Sequence, residues 1–304
     1  MDTLKAMRTF VRAVDLGSLS AVARELDSTQ PNVSKVVAAL ERELGARLFV
    51  RSARGLEATD EGKRFYGRAQ RMLEDYEEAV AETRATLARP SGTLRFNAPL
   101  ALGELRLNAL MLEFLQLYPD IRMEMILNDR LVDLTEEGID VALRQSDTLP
   151  PNVVAREIAV SDRYLSCSPA YLKRRPAIKR PQDLSSQEYL EFAWAATPGS
   201  ITLMNSGSDK IKVKVDGRYR VNSSMAIRES LLAGAGVGLA PAWLVEDLVD
   251  TGRLVRVLPR YRGLAQRAYL LYPSRRHLPA RTHALLDFLA LRLPQIAGFA
   301  PVRA

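Results

Sequence analysis

The sequence predicts two unlike parts: an all-α N-terminal region closed by one long helix, and a larger α/β region after it. Three observations carry this. Before Arg89, apolar residues recur three and four apart between cap-like breaks. From Asp60 to Leu87 no proline interrupts that spacing. After Arg89-Pro90-Ser91-Gly92, short strand-like runs alternate with helical patterns, as doubly wound architectures require. At 304 residues the chain is long for one compact domain, so more than one is expected.

Leu4, Met7, Phe10, Val11 and Val14 define a first helix that stops at Gly17. Ser18 and Ser20 offer N-cap oxygens to a second, with Ala21, Val22, Ala23 and Leu26 apolar. Asp27-Ser28-Thr29 makes the break, and Asp tolerates left-handed backbone there. Thr29 is the expected N-cap of a third helix, with Pro31 in its first turn and Val33, Val36, Val37 and Leu40 as its buried face. Leu44 and Gly45 end it. Two helices about a three-residue turn describe a helix-turn-helix, and the polar start of the last helix carries Gln30, Asn32, Ser34 and Lys35. Gln and Asn can bond adenine edges, Lys can reach guanine or phosphate, and Ser lets the backbone approach. The segment LFVRSARGLEATDEGKRF (48–65) then fits a two-stranded wing with Arg51 and Arg54 near its tip, suited to phosphate or the minor groove. The net charge of +7 favours a polyanionic partner without demonstrating one.

The stretch FVRAVDLGSLSAVARELDSTQPNVSKVVAALERELGARLFVRSARGLEATDEG resembles the winged helix-turn-helix of LysR-type transcriptional regulators. Ala23, Leu26, Gln30-Pro31, Val33-Ser34, Leu40-Glu41, Leu44-Gly45, Leu48-Phe49, Arg51 and Thr59-Asp60-Glu61-Gly62 stand in the family's order and spacing. The resemblance implies DNA contacts from Gln30, Pro31, Asn32, Ser34, Lys35, Arg51 and Arg54. Along the next helix, Phe65, Ala69, Met72, Tyr76, Val80, Thr83 and Leu87 form a seam flanked by charges. A helix of about 40 Å with one narrow apolar stripe suits self-association, and in the resembled family this linker helix pairs two subunits.

The expected organisation is a DNA-binding domain over 1–59, a linker and dimerisation helix over 60–88, a hinge over 89–92 and an effector domain over 93–304. Strands are read at 93–99, 121–127, 139–144, 154–169 (one bent strand or two), 237–241, 254–259 and 268–273, with KIKVKVDGRYRV as a hairpin. Helices are read from Gly103 to Tyr118, near Leu131–Glu137, at 169–176, from Ser223-Ser224 to Gly234, and over 279–292. "DRLVDLTEEGIDVALR", "CSPAYL" and "MAIRESLLAGAGVGLAP" also stand in the family's order, so the resemblance extends to its effector domain, which is similar to periplasmic solute-binding proteins. It weakens over 185–215. It implies a subdomain over about 93–165 and 268–304 and another over about 166–267, with chain crossings near Ser166 and Ala268. In such sheets ligands lie at strand C-terminal ends. Pro99, Leu100 and Ala101 end the first strand, Asn128, Arg144 and Ser146 the next two, and Ser223-Ser224 start a helix across the cleft. Residues 200–205 are expected to line it too. Helix N-termini and a nearby Arg suit an anion such as a carboxylate, against the plainer reading of Ser224 as a cap and Arg144 as an ion-pair partner.

Other classes fare less well. His277 and His283 have no carboxylate cluster beside them, GAGVG (234–238) has the wrong spacing for a dinucleotide loop, and no nucleophile-elbow, zinc or P-loop motif is present, so no catalysis, metal or cofactor is expected. The single cysteine, Cys167, excludes an intramolecular disulfide switch. The N-terminus lacks a signal-peptide pattern, and the longest mostly apolar run (231–245) is shorter than the roughly 20 residues of a membrane span. A transport binding protein would leave the N-terminal helices unexplained. The expectation is a bacterial, cytoplasmic regulator, a homodimer or homotetramer on an interrupted two-fold DNA site, answering a small-molecule effector. Contact with RNA polymerase stays open. The alternative is an architectural DNA-binding protein without an effector, for which KRRPAIKRP (173–181) offers a second basic segment.

Overall fold

The computed structural model describes residues 2–52, 55–83, 89–130, 132–145, 149–150, 152–193, 197–207, 209–274 and 278–302. The chain divides into two units between Arg89 and Pro90.

In the N-terminal unit, α1 (Thr3–Leu16) is capped by the Asp2 carboxylate and stopped by Gly17 in the left-handed region. The Ser18 hydroxyl accepts from the Ala21 N–H at the start of α2 (Leu19–Glu25). Asp27 takes the left-handed turn, φ 47°. Thr29 occupies the N-cap position of α3 (Gln30–Leu44), but its hydroxyl makes no capping bond; Gly45 ends the helix. β1 (Phe49–Ser52) and β2 (Gly55–Ala58) pair antiparallel, Arg51 opposite Leu56. The Glu41 carboxylate ties α3 to this wing by accepting the Leu48 and Phe49 N–H groups at 2.7 and 3.2 Å. The Thr59 hydroxyl donates to the Arg47 carbonyl and accepts from the Gly62 N–H, capping α4 (Asp60–Thr83). Gly62 is required there because a Cβ would collide with the Leu48 carbonyl. Phe10 is fully buried, its ring 5.3 Å from Phe49 and 5.4 Å from Phe65. Each such pair adds about 0.5–1.5 kcal/mol beyond burial and locks the helices and wing together.

The C-terminal unit opens with β3 (Gly92–Ala98), then a helical run of α5 (Leu100–Leu102), a π turn over Gly103–Leu107 and α6 (Asn108–Leu117). There follow β4 (Ile121–Leu127), β5 (Val141–Arg144), β6 (Val153–Cys167), α7 (Pro169–Arg174), β7 (Glu188–Phe192), β8 (Ser200–Met204), β9 (Lys210–Lys214), β10 (Asp216–Val221), α8 (Ser224–Leu232), β11 (Gly238–Pro241), α9 (Ala242–Asp250), β12 (Val255–Arg256), β13 (Arg262–Pro273) and α10 (Ala280–Arg292). The main sheet runs β11-β6-β13-β5-β3-β4, with β12 beside β6 and β8-β9 beside β13. β3 is parallel to β4 and β5, while β13 is antiparallel to β5 and β6. The first part of β6 pairs with β13, with a bridge from Val160 to Ala300; its later part pairs with β11 and β12. Ser166 and Ala268, the expected crossing points, lie on these two long strands.

Two expectations need correction, one open choice is resolved and one helix is new. KIKVKVDGRYRV is no hairpin: β9 pairs antiparallel with β8, and β10 pairs parallel with β7. Gly217 lets β10 press on the Tyr189 carbonyl, where a Cβ would collide. Residues 134–138 form turns instead of a helix, because the Asp133 carboxylate accepts the Thr135 and Glu136 N–H groups, 2.9 Å each. Residues 154–167 form one strand, settling an open choice. Finally, α9 was not anticipated; it buries Trp243, Leu244, Val245 and Leu248 in the main core with Leu94, Phe96 and Leu289.

Candidate functional site

Two regions emerge, one in each unit. On α3, Val33, Val37 and Leu40 are buried while Pro31, Asn32 and Lys35 are exposed, so the helix turns a polar edge outward. Gln30 is half-buried at its first turn. Ser34 is also half-buried and lines a groove with Val37, Phe49 and Leu56 between α3 and the wing. Arg42, two turns beyond Lys35 on the same face, is exposed and extends the cationic edge. The sequence reading missed it, although its seven-residue spacing from Lys35 was a usable signal. Among the described residues neither Lys35 nor Arg42 has an ion-pair partner, whereas Arg8 and Arg12 on α1 are engaged by Glu77 and by Asp15 and Glu25. Unpaired exposed cations on one helix edge suit a polyanion. The side chain of Arg51 and the whole of Arg54 lie outside the described residues.

Along α4 the expected seam is divided. Ala69 and half-buried Phe65 pack inside the unit with Phe10, Leu40 and Leu48, because α4 lies on α1; the structure gives them an intramolecular role. Met72 and Tyr76 are 55% and 46% exposed, and Val80 is half-buried. The Thr83 side chain and Leu87 lie outside the described residues.

In the C-terminal unit, the strand ends expected to converge do so. Pro99 and Ala101 after β3, Asn128 after β4, Arg144 at the end of β5 and Ser224 at the start of α8 surround one cavity of about 560 Å³. Leu100 and Ser223 do not line it. The Leu100 side chain points to solvent, and the Ser223 hydroxyl is spent accepting the Ala226 N–H at 3.2 Å. Ser146 lies outside the described residues. Residues 200–204 do not line it either, since they form the strand that pairs with β9 and β13; Met204 faces a second cavity. Phe192, Ile227, Leu239, Trp243 and Leu244 add apolar lining, with Asp129, Arg130, Gln145, Arg163 and Gln266 also at the cavity; the sequence reading missed Trp243 and Leu244 because they lie on the unforeseen α9. Arg144 is buried; that desolvation, the largest influence, pulls it down to about 10, so it stays charged at neutral pH.

The single thiol, Cys167, is buried and pushed up to about 12 by desolvation, which keeps it a thiol and a poor nucleophile. No helix among the described residues is long and apolar enough to cross a membrane, and none of their His, Cys, Asp and Glu side chains group as a metal site.

A helix-turn-helix with a wing, followed by a linker helix and an α/β domain of two subdomains with a cleft, defines a class: DNA-binding transcriptional regulators with an effector-binding domain. The comparisons specify it further. Residues 4–63 match the bacterial regulatory helix-turn-helix protein model of the lysR family, and residues 87–293 match the LysR substrate binding domain. The transcriptional regulator PtxR of Pseudomonas aeruginosa is 30% identical, over 94% of this chain and 91% of its own. The probable regulator LtrA of Klebsiella pneumoniae is 31% identical, over 97% and 96%. Among solved structures, CrgA of Neisseria meningitidis superimposes with a TM-score of 0.61 at 26% identity, covering 95% of this chain and 98% of that one. The virulence activator AphB of Vibrio cholerae does so with 0.58 at 26%, covering 94% and 98%. The chain belongs to the LysR family of transcriptional regulators.

Proposed function

We propose that this protein is a sequence-specific regulator switched by a small effector held in the cleft of its C-terminal unit. Gln30, Pro31, Asn32, Ser34 and Lys35 meet the major groove, and Arg51 and Arg54 the backbone or minor groove. Arg42 adds a phosphate contact. Met72, Tyr76 and Val80 on α4 pair two copies, presenting two α3 helices to an interrupted two-fold site. An effector binding the cleft shifts a two-state equilibrium by its differential affinity for the states.

The observation that carries the reading is the outward edge of α3, with exposed Asn32 and exposed Lys35 and Arg42 that have no ion-pair partner among the described residues. The test is fluorescence anisotropy on the intergenic DNA beside the protein's own gene, against scrambled DNA, over a salt series. Tighter binding to the cognate DNA that persists as salt rises is the expected result. Equal and steeply salt-dependent binding to both DNAs would favour the architectural alternative. Ser34→Ala reduces sequence preference through the α3–wing groove; an unchanged preference would remove Ser34 from the reading surface.

A further inference from the structure

The cleft has two unlike walls. One is mostly apolar, with Phe192, Ile227, Leu239 and Leu244 in the lining and Arg163 beside Leu239. The other carries Arg144, Asn128 and Gln145. Arg144 is 7% exposed, and among the described residues its hydrogen bonds go to neutral oxygens: the Leu143 carbonyl at 2.8 Å, the Arg130 carbonyl at 3.1 Å and Asn97 Oδ1. The two carboxylates in its field are engaged elsewhere. Glu137 accepts both terminal nitrogens of Arg130, at 2.8 and 2.7 Å. Asp129 accepts the Leu100 N–H at 3.1 Å, so it sits where the helical run begins and turns other anions away from those amides. A guanidinium taken out of water without a hydrogen-bonded carboxylate is costly to keep. Beside it, Asn128 Oδ1 and Gln145 Nε2 are buried and have no partner. Buried polar atoms without partners at a cavity wall mark bonds reserved for something that enters.

We infer that the effector is a small carboxylate on an apolar, preferably aromatic, body. This rests on the effector reading and deepens it. The carboxylate bonds Arg144 and Gln145, the body lies on Phe192, Ile227, Leu239 and Leu244, and Asn128 Oδ1 accepts any donor the body carries. A guanidinium and an amide N–H together match the two oxygens of one carboxylate, and Arg gives planar, directional recognition of it. The lining also holds Arg130, engaged by Glu137, and Arg163, which donates to the Leu239 carbonyl at 3.4 Å; a small dicarboxylate is disfavoured because it has no apolar body to cover Phe192, Ile227, Leu239 and Leu244.

The experiment is isothermal titration calorimetry of the full-length protein with benzoate, its neutral isostere benzamide, and succinate, at constant ionic strength. Benzoate binds, benzamide binds at least about tenfold more weakly, and succinate is weaker than benzoate. Arg144→Gln collapses the benzoate-to-benzamide ratio towards one. Asp129→Asn, an exposed change, tightens benzoate a few-fold and leaves benzamide alone. Phe192→Ala weakens both. The inference is overturned if benzamide equals benzoate, if succinate binds tighter, or if benzoate does not bind while circular dichroism shows a folded chain. In each case a wider set of neutral and cationic compounds separates the failures. A neutral compound that binds the cleft and alters the DNA anisotropy preserves the effector reading and sinks this one; anisotropy that no compound alters removes both.

Discussion

Two buried arginines of the C-terminal unit, Arg228 and Arg144, make an instructive pair. Both are 9% exposed or less. Arg228 on α8 is neutralised within the fold: it donates to both carboxylate oxygens of Asp247, at 2.9 and 2.6 Å, and to the Leu244 carbonyl. Asp247 on α9 also accepts from Arg106 of the π turn at 2.9 Å, and Arg106 donates to the Trp243 carbonyl. One carboxylate thus joins the first helical run, α8 and α9. Among the described residues, Arg144 meets carbonyl and amide oxygens and no carboxylate. The same residue type at the same depth serves as a strut where a carboxylate answers it, and as a receptor where none does. The second cavity supports the rule from the other side. Its two lining cations are each matched by a lining carboxylate, Arg267 with Glu157 at 3.0 Å and Arg262 with Asp162 at 3.7 Å, and Glu246 is paired with Arg256 at 2.9 Å, so no lining cation is left to draw an anion.

The comparison can be broken by measurement. Asp247→Ala carries the largest expected effect. It leaves Arg228 buried and uncompensated, and lowers the unfolding free energy of the C-terminal unit by about 2–3 kcal/mol, discounted because Asp247 is partly exposed. Chemical denaturation checks this; a loss below that of a typical surface substitution would deny Arg228 its role as a strut. Acid provides the next test. Hydrogen bonds from Arg228 foremost, and the nearby Arg106 charge, hold Asp247 below the usual carboxylate range. A carboxyl depressed in the folded state contributes stability that is present above its unfolded value of about 4 and lost as pH falls through its folded value. Denaturation between pH 6 and pH 3 on the wild type and Asp247→Asn should therefore converge at low pH.

Arg144→Gln is the smaller, sharpening case. Deleting a buried charge that, among the described residues, neutral oxygens answer removes its desolvation cost, and that gain offsets most of the about 1–3 kcal/mol lost by leaving the buried Asn97 and Leu143 oxygens without a donor, so the expected net cost is about 1 kcal/mol. A cost matching that of Asp247→Ala would erase the distinction between strut and receptor. Smallest in stability are the exposed cations of α3. Lys35→Ala and Arg42→Ala should leave the midpoint of unfolding unchanged, yet each should shallow the salt dependence of DNA binding by about one unit of slope. An unaltered slope would take Arg42 off the phosphate backbone.

How legible these features were in the sequence varied along the chain. The N-terminal unit was readable nearly to the residue. Its devices are local: Ser18 caps three residues ahead, Asp27 and Gly45 bend the backbone where they stand, and the run from Thr59 to Gly62 caps α4. Each depends on side chains a few positions apart. The α4 seam shows the limit. Periodicity identified Phe65, Ala69, Met72 and Tyr76 as one stripe, but a stripe does not say what it covers. Phe10 and Leu48 claim its first turns and leave Met72 and Tyr76 outside.

In the cleft, the sequence by itself determined which residues stand at the strand ends, Asn128 and Arg144 among them, because strand length and alternation are written locally. It also determined the polar start of α3. Only the tertiary structure decided that β9 joins β8 and not β10, that Leu100 and Ser223 turn away from the cavity while Phe192 and Ile227 turn in, and that Asp247 answers Arg228 and leaves Arg144 unanswered. The physical reason is common to all three. Strand pairing, side-chain direction and neutralisation of buried charge depend on which groups meet after the chain has folded back, and the Asp247 that answers Arg228 stands 19 positions from it.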